Sequence, residues 1–208
     1  MKTESRFDTE AARWDDNPQR VALARAVGMG IRRVTGIKPG WRILDYGAGT
    51  GLMTLHLQPE AEMLIAVDQS EGMLKMLKSK IAAADIGNVQ TKQWNIEKSP
   101  LPEGGFDLVA SSMTFHHLRN VPMVVQRLAL SLKPGGWIAL ADLDIEDGSF
   151  HGPSNDVFHL GFDRSKVRKS LSKAGFKDIT IEDVYVLNKP DKAGKMHSYS
   201  VFLAAGHL

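Results

Sequence analysis

The chain has 208 residues and a formal net charge of +2 at pH 7, with 43% hydrophobic and 24% charged residues, which is ordinary for one globular domain. The absence of cysteine excludes disulfides, thiolate metal ligands and any covalent cysteine adduct. The near-neutral charge argues against a nucleic-acid partner, and no apolar run approaches the ~18 residues of a membrane span. Because the N-terminal sequence also lacks a signal-peptide core, we expect a single cytoplasmic domain over residues 1–208.

The N-terminal segment reads as helix. Apolar side chains recur at helical spacing from residue 7 to about residue 35, with a break at Asn17-Pro18. The segment precedes the first predicted strand, so we expect it to pack outside the sheet. It either covers a sheet edge or forms a lid in which Phe7 and Trp14 close over a ligand. We predict an N-terminal helical cap at residues 1–38 and a core at residues 39–208.

A glycine-rich loop, Asp45-Tyr46-Gly47-Ala48-Gly49-Thr50-Gly51, follows the first predicted strand and precedes a helix. Glycines allow the backbone to turn sharply and to lie close against a ligand. Their spacing is G-x-G-x-G, whereas a dinucleotide site has G-x-G-x-x-G, and Leu52 stands where its third glycine would be. The Asp45 carboxylate would repel a pyrophosphate. The loop therefore predicts a ligand with positive charge nearby.

The second predicted strand, residues 63–67, ends at Asp68, which lies 17 residues after Gly51. An acidic residue placed one helix and one strand after a glycine loop can accept hydrogen bonds from both hydroxyls of an adenosine ribose. Ser70 is better placed than Asp68 to cap the helix that follows. We therefore interpret Asp68 as a ligand-binding residue.

The glycine loop resembles motif I of the class I S-adenosylmethionine (SAM)-dependent methyltransferases, in which an acid precedes G-x-G-x-G. The resemblance continues at Asp68, at residues 106–118 and at residues 132–140, and so covers most of the chain. It implies SAM as cofactor and an α/β, Rossmann-like fold: a seven-stranded mixed sheet with helices on both faces and an antiparallel last strand. Two consecutive predicted strands at the C-terminus, residues 176–186 and 199–205, fit this arrangement and do not fit a plain dinucleotide fold.

The resemblance also assigns cofactor residues. Asp68 matches the ribose-binding acid, and Gln69 and Met73 are expected to flank the adenine. The family commonly has an acid and an apolar residue after the third strand, but this chain has Asn95-Ile96, so the adenine contact would lack charge and depend more on the backbone. The predicted cofactor-binding residues are Asp45, Gly47, Ala48, Gly49, Gly51, Asp68, Gln69, Met73, Asn95, Ile96 and Ser111.

The candidate catalytic residues are three histidines, His117, His151 and His159. Residues 112–118 resemble motif IV of the small-molecule enzymes and lack the N-P-P-[FY] or D-P-P-[FY] signature of enzymes that methylate amino groups of nucleic-acid bases. A neutral imidazole is available as a base near pH 7, although a base is needed only for a protonated acceptor. In the family a histidine here often packs beneath the site, so a structural role for His117 stays open.

The loop after the fifth predicted strand, residues 142–163, combines acidic residues and histidines, which can bind metals. It contains no tight ligand pair such as H-x-x-x-H, so we expect no metal and interpret the segment as a substrate-facing loop.

The predicted function is SAM-dependent transfer of a methyl group to an unidentified small molecule by in-line displacement. No nucleic-acid or membrane partner is expected, and the oligomeric state is not predicted. Two alternatives stay open, namely an NAD(P)-dependent oxidoreductase and a catalytically silent SAM-binding module.

Overall fold

Seven strands form one mixed sheet in the order β3-β2-β1-β4-β5-β7-β6 in the computed structural model, which describes residues 5–101, 105–152, 154–190 and 194–208. β1 to β5 are mutually parallel, whereas β7 runs antiparallel to both of its neighbours. The predicted fold is therefore confirmed, including the antiparallel last strand. The strands are β1 Trp41–Tyr46, β2 Ala61–Asp68, β3 Val89–Gln93, β4 Phe106–Ser112, β5 Leu132–Leu143, β6 Lys177–Pro190 and β7 Met196–His207.

Six α-helices accompany the sheet in the described part of the chain. The break predicted at Asn17-Pro18 is present: the Asn17 side chain accepts hydrogen bonds from the amides of Gln19 and Arg20, and Pro18 opens the next helix, as capping rules lead one to expect. The helices are α1 Arg6–Glu10, α2 Pro18–Thr35, α3 Leu52–Leu57, α4 Glu71–Ala83, α5 Val121–Ser131 and α6 Arg164–Lys173, with 3-10 turns at Ala11–Asp16, Gln58–Glu60 and Phe115–His117.

The core lies on both faces of the sheet. Neighbouring residues of a strand point to opposite faces, so Ile43 packs with α2, α3 and α4, whereas Leu44 packs with α5 and α6. Ile31 of α2 and Leu128 of α5 are fully buried, and each such side chain contributes roughly 1.5–3 kcal/mol by leaving water. The helices thus cover both faces, as predicted.

The ligand-binding edge follows from the strand order. The carboxyl ends of parallel strands meet at one edge of a sheet, and ligands bind where the order reverses. Here the order reverses between β1 and β4. The glycine loop after β1, the turn after β4 and the loop after β5 therefore converge at this point.

The predicted cap at residues 1–38 has two parts in the structure. Val27 and Ile31 of α2 have no exposed surface, so α2 belongs to the core. Residues 5–16, which comprise α1 and the following 3-10 turn, pack on α4 at the ligand-binding edge. Residues 1–4 lie outside the described residues. Residues 5–16, which we call the cap segment, therefore lie over this edge, and their function as a cap stays a prediction.

Candidate active site

The glycine loop is held in place by the protein itself. The amides of Gly47 and Ala48 donate to the carbonyl oxygen of Val67 at 2.8 and 3.0 Å, and the amide of Gly51 donates to that of Ala48 at 2.9 Å. The amide of Gly49 donates to Asp68 Oδ2 at 2.8 Å. The loop is thus formed before a ligand arrives, so little ordering entropy is lost on binding.

Two glycines of this loop are required by close packing as well as by their left-handed backbone conformation. A Cβ at Gly47, whose φ is +76°, would lie 2.1 Å from Thr114 Oγ1, and one at Gly51, whose φ is +84°, would lie 2.2 Å from Leu77 Cδ1. A larger residue would be strained at either position and would clash. The loop is therefore packed against the turn after β4 on one side and against α4 on the other.

Asp45 is a buried carboxylate with an unused oxygen. Its Oδ2 accepts a hydrogen bond from Thr54 Oγ1 at 2.6 Å, while its Oδ1 has no partner among the described residues. Burial raises the pKa of Asp45 to about 7, and the nearby Asp68 adds to the effect. A cationic ligand group would favour the ionised form and satisfy the unused oxygen.

Asp68 ends β2 and lies beside the glycine loop. Its two oxygens accept hydrogen bonds from the amides of Gly49 and Ser70, each at 2.8 Å. Burial raises the pKa of Asp68 although these hydrogen bonds favour its charged form. Each carboxylate oxygen keeps further acceptor capacity, which ribose hydroxyls could use.

Three further predicted cofactor-binding residues are Met73, Gln69 and Asn95, and their contacts differ. Met73 is buried. Its sulfur lies 4.0 Å from the position that a Cβ on Gly49 would occupy, and so lies beside the glycine loop. Asn95 Nδ2 donates to Gln69 Oε1 at 2.8 Å, and Asn95 Oδ1 accepts from the amide of Glu97 at 2.9 Å. Both ends of the Asn95 amide thus have protein partners, and it shapes the turn after β3.

Two predicted residues are tied into the scaffold. Ile96 is fully buried, and its carbonyl oxygen accepts a hydrogen bond from Arg127. Ser111 Oγ donates to the carbonyl oxygen of Tyr46 at 2.7 Å and so links β4 to β1. Their assignment to the cofactor site stays a prediction.

Three histidines form a cluster on the other side of the glycine loop. The ring centroids lie 4.1 Å apart for His116 and His117, 4.8 Å for His116 and His151, and 5.6 Å for His117 and His151. Each ring places one nitrogen within 4.8 Å of a nitrogen of the others. The structure therefore brings together two of the three predicted catalytic histidines and adds His116, which is 1% exposed.

His159 lies outside this cluster. Its Nε2 is 2.9 Å from the carbonyl oxygen of Leu118, and its ring contacts Phe162 at 5.2 Å between centroids. The nitrogen that faces a carbonyl must carry the proton, which leaves only Nδ1 as an acceptor.

Each clustered histidine has a defined environment. His116 Nδ1 lies 2.6 Å from Asp142 Oδ1, and His117 Nδ1 lies 2.5 Å from the carbonyl oxygen of Asp156. His151 Nε2 is buried and has no partner among the described residues. Burial lowers the pKa of His117 to about 4 and that of His151 to about 3, and the neighbouring His116 adds to both shifts. His117 and His151 are therefore neutral at pH 7.

The turn that carries His116 and His117 is attached to the glycine loop. Thr114, two residues before His116, packs against Gly47. Met113 has a left-handed φ of +53°, which is uncommon for a side chain of its size, and its amide donates to the carbonyl oxygen of Ala141 at 2.8 Å. The strained residue is thus held by β5, and the next residue, Thr114, keeps the turn against the glycine loop.

The cap segment contacts both sides of the site. Asp8 Oδ1 accepts hydrogen bonds from Ser70 Oγ at 2.6 Å and from the amide of Gly72 at 2.8 Å. The Phe7 ring meets the His117 ring edge-on at 5.1 Å. Thr50 Oγ1 donates to Asp15 at 2.5 Å. The segment thus bridges the glycine-loop side and the histidine side.

Comparison with known proteins decides which family this geometry belongs to. Residues 44–140 match a family model described as a methyltransferase domain. This stretch runs from the end of β1 through most of β5 and includes the glycine loop, Asp68 and the turn with His116 and His117. The chain contains a class I SAM-dependent methyltransferase domain. SAM is the methyl donor of such a domain.

Curated relatives of this methyltransferase domain are only partly covered. An uncharacterized methyltransferase of Schizosaccharomyces pombe is 31% identical over 55% of this chain and 43% of its own length. The ubiquinone/menaquinone biosynthesis C-methyltransferase UbiE of a Shewanella strain is 32% identical over 62% of this chain and 51% of its own length. The chain therefore spans about half the length of these relatives.

A solved structure of similar size has the same fold. The SAM-dependent methyltransferase of Aquifex aeolicus superimposes with a TM-score of 0.69 over 96% of this chain and 97% of its own, at 21% identity.

Within the part of the chain that the structure describes, no helix is both long enough and apolar enough to span a membrane.

Sequence reasoning missed several residues of this candidate site. His116 was not selected, Asp142 was treated only as a member of an acidic loop, and the contacts of Asp8 and Asp15 were not foreseen. One signal was available for His116 and Asp142: β4 and β5 are neighbours in the family fold, so residues at and just after their carboxyl ends must meet. The cap contacts had no sequence signal.

Proposed function

We propose that this protein transfers the methyl group of SAM to a small-molecule acceptor held between the glycine loop and the histidine cluster. The observation that carries the proposal is the attachment of the histidine turn to the glycine loop through Thr114 and Gly47. This attachment would bring donor and acceptor side by side at the point where the strand order reverses.

The roles of the donor-side residues follow from charge and hydrogen bonding. Asp68 would accept the ribose hydroxyls with the lone pairs that Gly49 and Ser70 leave free. Asp45 would face the cationic amino-acid end of SAM, whose charge would stabilise the buried carboxylate. The glycine loop would lie against the cofactor without moving, since its amides are already bonded.

Methyl transfer from a sulfonium needs orientation more than activation. The donor is already reactive, so the protein gains most by holding the acceptor atom in line with the methyl carbon at ~3–3.5 Å. A proton must be removed only if the acceptor binds protonated. The cap segment would exclude water and hold the acceptor in place.

The acceptor we propose is small and carries an apolar ring. The histidine cluster is flanked by Phe7, whose ring is 5.1 Å from His117, and by Phe150, whose ring is 4.7 Å from His151. Such rings favour flat apolar partners. The UbiE relative is named for C-methylation in ubiquinone/menaquinone biosynthesis, which is consistent with this class. A net charge of +2 and a covered site favour a metabolite over a nucleic acid.

Two measurements test the proposal. Calorimetry should detect SAM and S-adenosylhomocysteine at micromolar level and should detect no NAD, and a panel of ring-bearing metabolites should then release S-adenosylhomocysteine. NAD binding without SAM binding would overturn the donor assignment. SAM binding without turnover on the panel would instead favour a catalytically silent SAM-binding module.

A further inference from the structure

The histidine cluster has the donor set of a metal site. We propose that His116, His117 and His151 bind a divalent transition-metal ion such as Zn²⁺, with a fourth coordination position open to the acceptor. The sequence showed no H-x-x-x-H ligand pair. The ligands come instead from two loops, 34 residues apart, that the adjacent strands β4 and β5 bring to one edge of the sheet.

Two of the rings already have the outer partners that metal-binding histidines have. A ligating histidine usually donates its second ring N–H to a carboxylate or a backbone carbonyl, which fixes the tautomer and leaves the other nitrogen for the metal. His116 Nδ1 meets the Asp142 carboxylate at 2.6 Å, and His117 Nδ1 meets the Asp156 carbonyl oxygen at 2.5 Å. In both rings Nε2 is then the free acceptor.

The third ring contributes an unsatisfied nitrogen. His151 Nε2 is buried and has no hydrogen-bond partner among the described residues, and leaving such an atom unpaired costs roughly 1–3 kcal/mol. The His151 ring is positioned by Phe150, at 4.7 Å, and by His116, at 4.8 Å. A metal ion in the cluster would satisfy this nitrogen.

The electrostatic environment suits ligands better than it suits bases. A general base is most effective when its pKa lies near the working pH, whereas burial lowers the pKa values of His117 and His151 to about 4 and about 3. These rings therefore bind protons weakly, yet they are neutral at pH 7, as imidazole must be to coordinate a metal.

The ligand set selects the kind of ion. Three imidazoles with no carboxylate favour Zn²⁺, Co²⁺, Ni²⁺ or Cu²⁺ over Mg²⁺ or Ca²⁺, which prefer oxygen. Nitrogens bound to one Zn²⁺ at ~2.0–2.1 Å lie ~3.3 Å apart, whereas the ligand atoms here lie within 4.8 Å of one another. Small ring movements would close the site, and a protein that supplies three ligands leaves a fourth position free.

One consequence rests on the proposed function. An acceptor hydroxyl at the open position would lose its proton to solvent, because a bound cation lowers the pKa of a coordinated oxygen. The oxygen would form a bond to the methyl carbon, and the bond between that carbon and the SAM sulfur would break. Both electrons of the broken bond would go to the sulfur, which leaves S-adenosylhomocysteine as a neutral thioether.

The experiment uses the full chain, freed of metal by a chelator and titrated with Co²⁺ as a visible reporter of Zn²⁺ sites. We expect one Co²⁺ per chain with the absorption bands of a four-coordinate ion, and displacement by Zn²⁺. His151→Ala and His117→Ala should abolish stoichiometric binding, and Asp142→Asn should lower affinity about 10–100-fold. The matched control is His207→Ala, which removes a histidine paired with Asp178 at 2.8 Å at the far end of β7 and should bind like wild type.

The outcomes separate the two proposals. Thermal unfolding, measured on each variant, reports whether it is folded, and the asparagine variant at the same position, His117→Asn or His151→Asn, replaces an alanine variant that is not. Substoichiometric Co²⁺ in the wild type, or equal binding by the cluster variants and the control, would overturn the metal site even if SAM binds. Stoichiometric Co²⁺ that depends on the cluster, with no SAM binding, would uphold the metal site and overturn the proposed methyl transfer.

Discussion

The donor side of the site, made of the glycine loop, Asp45 and Asp68, is built differently from the acceptor side, which is the histidine cluster with Asp142. On the donor side, backbone amides and two carboxylates occur in short motifs. On the acceptor side, side chains from two distant loops meet through space. A site made of backbone and local spacing is visible in a sequence, whereas a site made of side-chain encounters becomes visible only once the strand order is known.

Burial shifts the pKa values of the ionisable groups on the two sides in opposite directions. It raises the pKa of Asp45 to about 7 and lowers the pKa of His117 to about 4, because a low-dielectric environment disfavours charge of either sign. At pH 7 Asp45 is therefore only partly ionised, while His117 and His151 are neutral. In the proposed function, the cationic cofactor would favour the ionised form of Asp45, and an uncharged acceptor would bind beside the neutral histidines.

The largest effect should come from the acceptor side. His117→Ala or His151→Ala should lower turnover roughly 10²–10⁴-fold, the range expected when the means of deprotonating the acceptor is lost, and should leave SAM affinity unchanged. Steady-state release of S-adenosylhomocysteine and calorimetry measure the two quantities, with His207→Ala as the matched control. Near-normal turnover in the His117, His151 and His159 alanine variants alike would mean that transfer proceeds by proximity alone.

The next effect should appear on the donor side and leave the histidines untouched. Asp68→Ala should weaken SAM binding by about 1.5–3 kcal/mol, or roughly 10- to 150-fold, through loss of a charged hydrogen-bond acceptor. Calorimetry with Co²⁺ and with SAM would show whether only the donor side is affected. Glu62→Ala, an exposed carboxylate on the same strand, is the control, and equal losses in both variants would contradict the ribose role.

How much of the molecule could be predicted from the sequence follows the same division. The strands were predicted because hydrophobic runs and turn residues determine them locally, and the antiparallel direction of β7 was implied by the family resemblance. The glycine loop was predicted from its spacing. The adenine contact of Asn95 stays a prediction. His116 and Asp142 were missed because they pair across 26 residues. Such partners are set by tertiary packing.

A smaller effect should appear as a pH dependence of the donor side. The pKa of Asp45 lies above its ordinary value, so the free protein favours the protonated form and loses stability as pH rises through about 4 to 7. Cationic SAM favours the carboxylate, so its binding releases a proton below pH 7. Affinity should rise about fivefold between pH 6 and pH 7 and then level off.

Calorimetry at pH 6 in two buffers of different ionisation enthalpy would measure the released proton. Asp45→Asn is the control, since it keeps the shape of the side chain and cannot titrate. A pH dependence that survives in this variant would assign the titration to another group.

The smallest effect concerns the cap segment, which joins the two sides. Burial alone would raise the pKa of Asp8, but hydrogen bonds from Ser70, Gly72 and Ser5 outweigh it and lower the pKa to about 2. The docked form is thus favoured above about pH 4 and is lost as pH falls through about 2. Asp8→Ala should favour opening of the cap segment by about 0.5–1 kcal/mol. Proteolysis before residue 17 should therefore become about two- to fivefold faster.

Limited proteolysis with and without S-adenosylhomocysteine measures this opening. The ligand should slow cleavage in the wild type, and Thr9→Ala, an exposed position on the same helix, should behave like wild type. Slow cleavage that ignores the ligand would mean that residues 5–16 are a fixed part of the fold and not a lid.

The contact between Gly47 and Thr114 has a consequence for how such an enzyme can diverge. Since a Cβ at Gly47 would lie 2.1 Å from Thr114 Oγ1, the turn with His116 and His117 has no freedom to move toward the donor. A substitution that moved this turn would require a compensating substitution in the glycine loop. Among its described residues, the loop at 144–162 makes no hydrogen bond to the glycine loop, so new acceptors could be accommodated by altering that loop alone. New acceptor specificity would therefore arise by substitutions in the loop after β5. The turn after β4 would stay constant together with the cofactor-binding loop.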